Sequence, residues 1–138
     1  MTVLVIDAQG GGIGKQLVAA VRQSLPEARV LAVGTNTAAT AAMLKAGAHQ
    51  GATGENAVVV ACRQADVIVG PIGIVIADSL LGEVTPAMAL AVAQSRARRI
   101  LIPFNHCDNT IVGVADFSPA ALIRAAMEEI GRVTLENS

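Results

Sequence analysis

Val3-Leu4-Val5-Ile6-Asp7-Ala8-Gln9-Gly10-Gly11-Gly12-Ile13-Gly14-Lys15 passes from an apolar run of strand type into four glycines within five positions, and a helical pattern follows at once. Glycine lets the backbone turn sharply and approach a ligand with no Cβ in the way. The helix that opens after the turn presents unpaired N–H groups and about half a positive charge. Strand, glycine turn and helix N-terminus together form the usual phosphate or carboxylate site of α/β proteins.

The rest of the chain repeats the alternation of strand and helix. Strands are expected at Thr2 to Asp7, Arg29 to Val33, His49 to Thr53, Asp66 to Val69, Arg99 to Phe104 and Thr110 to Val114. Helices are expected from about Gly12 to Leu25, from the cap at Gly34-Thr35-Asn36-Thr37 through Lys45, from the lead-in Gly54-Glu55-Asn56 to about Gln64, from Thr85-Pro86 to about Arg96 and from Pro119 to about Ile130. Pro26, Gly47 and Pro86 supply the stop and start chemistry of these helices. Ile74 to Leu81 reads as a further helix closed by Gly82. This alternation predicts an α/β fold: one Rossmann-like doubly wound domain over residues 1–138, with a mostly parallel sheet of about five or six strands.

Composition bounds the function. The chain has 138 residues, 53% apolar and 15% charged, with a net charge of −1. Near-neutral charge favours neither nucleic acid nor acidic lipid. Phe104 and Phe117 are the only aromatic residues, so base-stacking platforms are missing. Cys62 and Cys107 sit far apart with no CxxC pattern and read as free thiols in a reducing cytoplasm. No leader pattern opens the chain, and the apolar stretch Val67 to Ala77 is broken by Gly70, Pro71 and Gly73. The expectation is a cytoplasmic protein without a membrane partner. Apolar content this high also predicts a homo-oligomer, a dimer or larger, with Ile72 to Leu81 as the uncovered surface.

In a doubly wound sheet, ligands lie beyond the carboxyl ends of the strands. The candidate ligand-binding residues there are Asp7, Gln9, Gly10, Gly11, Gly12, Ile13, Gly14, Lys15, Thr35, Asn36, Glu55, Asn56, Gly70, Pro71, Ile72 and Asn105. Asp7 has two readings: a ligand or base, or a carboxylate that ties down the loop through backbone N–H groups and so keeps a low pKa.

No standard fingerprint fits the turn. GxGxxG is met by Gly10 and Gly12, but Lys15 stands at the third glycine. Gly12-Ile13-Gly14 resembles the end of the TGxxxGIG turn of short-chain dehydrogenases, whose YxxxK catalysis is impossible in a chain with no Tyr. An acid ending the second strand would hold the ribose of NAD, and Gly34-Thr35-Asn36 has none. Gly11-Gly12-Ile13-Gly14-Lys15 resembles a P-loop, but Gln16 replaces the Mg²⁺-binding hydroxyl and Gln9 the first glycine. The function expected is therefore binding of a small phosphorylated or carboxylated ligand, with a nucleotide or dinucleotide as candidate cofactor and the reaction open. Two alternatives stand beside it. One is a metal-binding protein using His106, Cys107 or His49. The other is a non-catalytic oligomeric module whose glycine turn is structural. Asp78 and Ser79 read either as ligand-facing or as caps of a local turn.

The runs Asp7 to Gln16, Gly34 to Ala48, Gly51 to Ala57 and Asp66 to Pro86 resemble a small bacterial family of unknown function with a Rossmann-like domain (domain-of-unknown-function family 3842). The resemblance implies that fold over nearly the whole chain and brings no activity, substrate or catalytic residue.

Overall fold

The computed structural model describes residues 1–104, 108–115 and 118–137. Five strands form one parallel sheet: β1 (Thr2–Asp7), β2 (Arg29–Gly34), β3 (Gln50–Thr53), β4 (Val67–Pro71) and β5 (Arg98–Ile102), in the order β3-β2-β1-β4-β5. The helices are α1 (Gly12–Ser24), α2 (Thr37–Lys45), α3 (Glu55–Gln64), α4 (Pro86–Gln94) and α5 (Pro119–Glu136).

Alternation along the buried strands separates two cores. Val3, Val5, Val30, Ala32, Val67 and Val69 meet α1, α2 and α5 on one face. Leu4, Ile6, Leu31, Val33 and Ile68 meet α3 and α4 on the other. The chain winds outward from β1 to β3, then crosses back to β4 on the far side of β1. Strand order therefore reverses between β1 and β4. The helices that follow these two strands lie on opposite faces of the sheet, which opens a crevice beyond their carboxyl ends.

Several boundaries differ from the sequence expectations. Gly70 and Pro71 belong to β4 and pair with Leu101 and Ile102, where a break was expected. A side chain at Gly70 would lie 2.3 Å from the Ile6 carbonyl oxygen, so glycine lets β4 sit close to β1. The expected helix from Ile74 to Leu81 is only a 3₁₀ turn, Ile72–Val75, followed by tight turns. Asp78, Leu80 and Leu81 there have φ of 64°, 56° and 58°, which an α-helix forbids. Thr110 to Val114 forms no strand; it is a turn with Gly113 at φ 85°. Nor is Ile72 to Leu81 an uncovered surface: Ile74 is 1% exposed and Leu80 8%, both packed beneath α3 and α4, while Ala77, Asp78 and Leu81 are exposed. Among the described residues, no helix is long and apolar enough to cross a membrane.

Ile74 thus belongs to the core. Ile74→Asp is expected to give aggregated or unfolded protein. It forfeits burial worth about 2–5 kcal/mol and places an unpaired carboxylate among apolar side chains. Circular dichroism and light scattering on the purified variant check this; a soluble variant with wild-type melting would refute the core placement.

Candidate functional site

Asp7 ends β1 and sends both carboxylate oxygens into the turn. Oδ1 accepts from the Ala8 N–H at 2.8 Å, and Oδ2 from the Gly14 N–H at 2.6 Å. This is the loop-holding role. The accompanying expectation of a low pKa is corrected: burial pushes the Asp7 carboxyl above its ordinary 3.8, against the pull of the two N–H groups, and the charge of Glu83 pushes it further up.

The glycines divide into two kinds. Gly11 is left-handed at φ 72°, and a Cβ there would lie 3.0 Å from the Ala39 backbone. At Gly14 a Cβ would lie 2.7 Å from Met43 Sδ and 2.8 Å from Asp7 Cβ. Both positions need glycine for turning or packing. Gly10 and Gly12 have nothing within 4 Å of an added Cβ.

Helix α1 begins without a side-chain cap. The Gly14 N–H goes to Asp7 and the Lys15 N–H to the Gly11 carbonyl. Among the described residues, the N–H groups of Gly12 and Ile13 have no hydrogen-bond partner. Both residues line a crevice of about 200 Å³ at the strand-order reversal, together with Asp7, Gln9, Gly10 and Pro71 from the sequence candidates. Leu80, Phe104, Pro119 and Gln16 also line it and were not foreseen. Two wider hollows lie elsewhere. One of about 480 Å³ lies between α3 and α4 beside Cys62, and one of about 580 Å³ runs along β2 and β3. Neither is lined by the glycine turn, so the smaller crevice is the better candidate.

The residue that sequence reading missed is Glu83. Its Oε1 accepts from the Gln9 N–H at 2.9 Å, Thr35 Oγ1 at 2.8 Å and Asn36 Nδ2 at 2.7 Å. Burial alone would raise its pKa, but the three donors outweigh burial and hold it below its ordinary 4.5. Thr35 and Asn36 are thereby drawn to the glycine turn, and Asn36 Nδ2 also donates to the Gln9 carbonyl. The only sequence signal was the missing acid at the end of the second strand. Nothing there says that an acid 48 residues after Thr35 accepts from the end of β2.

The remaining candidates are dispersed. Lys15 is exposed on the first turn of α1. Glu55 and Asn56 open α3 beyond β3, two strands from β1. Gly70 is buried in β4, and Ile72 starts the turn after it. Ser79 Oγ donates to the Gly73 carbonyl at 2.6 Å, which holds the turn. Asn105, His106 and Cys107 lie outside the described residues. His49 stands at the amino ends of the strands, where Nδ1 accepts from the Val30 N–H at 2.9 Å, across the sheet from the crevice. Among the described residues, no group of three or more His, Cys, Asp or Glu could hold a metal ion. The buried Cys62 thiol is pushed by burial to about 11 and is not poised as a nucleophile.

Residues 2–134 match the family described as Domain of unknown function (DUF3842), and the chain belongs to that family. No curated protein matches it in sequence. Among solved structures, it is similar to a dodecameric FMN-dependent UbiX-like decarboxylase from Escherichia coli O157:H7. The identity is 17% and the TM-score 0.45, over 97% of this chain and 77% of that one.

The two carboxylates should titrate on opposite sides of their ordinary values, Asp7 above 3.8 and Glu83 below 4.5. Because its folded pKa is raised, Asp7 contributes stability below pH 3.8 that is lost as pH rises through the folded value. Glu83→Gln should move Asp7 downward by removing a neighbouring negative charge. Carboxyl ¹³C NMR titration measures all three; an Asp7 that ignores the Glu83 change contradicts the coupling.

Proposed function

We propose that this member of the DUF3842 family binds a small anionic ligand, phosphorylated or carboxylated, over the glycine turn. One observation carries the reading. The Gly12 and Ile13 N–H groups are left open at the start of α1 and line the crevice where strand order reverses. A helix N-terminus of this kind favours negative charge by its dipole as well as its N–H groups. Lys15 adds a screened positive charge on the same turn. Whether a reaction follows binding is outside this proposal.

Gly12→Val tests the reading cleanly, since open space surrounds the position and the fold should survive. Wild-type protein titrated with pyrophosphate, AMP and NAD should melt higher with at least one of them. A ligand at a hundred times its Kd adds about 2.7 kcal/mol, which is a shift of several degrees. The valine variant should melt normally and show no shift. Equal shifts in both proteins would place the ligand elsewhere. No shift in wild type at millimolar anion would end the proposal.

Self-association is also part of the proposal, but its place has moved. Leu44 and Val60 are 42% and 38% exposed beside the hollow along β2 and β3, and β3 is an edge strand. An apolar, edge-strand face is the kind of surface that a second copy covers. Sedimentation should show at least a dimer that Val60→Asp converts to soluble monomer; a monomeric wild type ends this part.

A further inference from the structure

We propose that the crevice receives one apolar ring, so that the ligand is a small acid built on a single ring, an aryl carboxylate or an aryl phosphate. The place of the ring rests on the lining of the crevice. The acid rests on the anion-binding reading above, which this inference specifies.

The walls come from distant parts of the chain and are apolar. Ile13 of α1, Pro71 at the end of β4 and Leu80 of the following loop are buried, and Phe104 beyond β5 is half-buried. Pro119 at the start of α5 closes the wall. Phe104 is one of only two aromatic residues in the chain. Among the described residues no cation lines the crevice. These walls therefore recognise the uncharged part of a ligand.

The polar groups at the crevice are largely spent on the protein itself. Asp7 gives both oxygens to backbone N–H groups. The Gln9 N–H goes to Glu83, and the Gln9 carbonyl accepts from Asn36. Gln16 Nε2 donates to the Gly12 carbonyl at 3.0 Å. A held water needs about two to four polar partners, and this lining leaves few. Apolar surface entering such a poorly hydrated space is favoured.

Size selects the guest. The crevice holds about 200 Å³. A cavity of about 150 Å³ walled by Leu, Ile and Phe takes one benzene, whereas pockets that bury a drug-sized ligand begin at about 300 Å³. One ring fits inside, and a dinucleotide does not. Gly10 and Gly12 line the same space, and a Cβ at either would meet nothing within 4 Å, so a ring can lie against bare backbone.

NMR titration of the full chain tests this with phenyl phosphate against methyl phosphate, phenylacetate against acetate, and benzyl alcohol as a ring without charge. In at least one pair the aryl acid should bind about tenfold or more tighter than its ringless partner, and that pair names the acid. Ring currents should shift the methyl signals of Ile13 and Leu80 and leave those of Leu44 and Val59, which line the other two hollows. Phe104→Ala should cut the preference about threefold or more and leave binding of the ringless acid unchanged. Equal binding within both pairs overturns the inference while the anion reading stands. A ring preference that leaves Ile13 and Leu80 unmoved, or one undiminished by Phe104→Ala, places the ring elsewhere and overturns it as well. Benzyl alcohol binding as tightly as the aryl acids, with the same methyl groups moved, supports the place of the ring, and the anion reading fails instead. If no probe binds, both fall.

Discussion

One buried carboxylate organises the carboxyl edge of the sheet. Asp7 joins the end of β1 to the first turn of α1 through the Ala8 and Gly14 N–H groups. The second of these bonds requires that α1 come within a side chain's width of β1. Only glycine at position 14 permits that, because a Cβ would overlap both Asp7 and Met43 of α2. Met43 is fully buried, so α2 is fixed by the same contact. Strand, turn and two helices share one point of closest approach. The direction of the α1 N-terminus, and with it the direction of any ligand's approach, follows from that point.

Glu83 makes a second tie. Asp7 works within β1 and α1; Glu83 links the loop after β4 to the turn after β1 and the end of β2. These three segments leave the sheet separately, and with their polar groups unpaired each would be free to move. Gathered on one oxygen, their donors become a rigid rim, and the left-handed residues Asp78, Leu80 and Leu81 show what the loop adopts to reach it. Non-glycine residues in that region cost about 1–3 kcal/mol each, and burial of Leu80 and Val84 helps to offset the cost.

The sheet was legible because its strands are buried on both faces and read as continuous apolar runs. Val3 to Ile6, Val30 to Val33 and Val67 to Val69 satisfy no helical period, and the helices between them are bounded by Asn36, Thr85-Pro86 and Ser118-Pro119. The errors fall where local pattern and tertiary contact disagree. Gly70-Pro71 looks like a break, yet Pro71 is the last residue of β4, where a missing N–H costs little. Ile74 to Leu81 has helical spacing, but its apolar residues serve a turn plugged under two helices. Thr110 to Val114 has strand composition and no strand beside it to pair with. Half of the crevice was readable, namely the glycine turn and Pro71. Leu80 and Phe104 were not, nor was the tie that Glu83 makes beside the crevice, since these depend on separations of tens of residues that no local period encodes.

The charges near the turn narrow what the site accepts. Two carboxylates, Asp7 and Glu83, stand at a turn whose helix end attracts anions, and Lys15 is the nearest cation on the same turn. A highly charged ligand spread over the whole rim would meet both acids. The conflict is resolved by position. Asp7, 6% exposed, spends its oxygens on the Ala8 and Gly14 N–H groups, while Gly12 and Ile13 line the crevice beside it. Its raised pKa also means that its charge is costly to bury and weakens as pH falls. The attraction of the helix end for negative charge and the low pKa of Glu83 therefore act against each other across the turn.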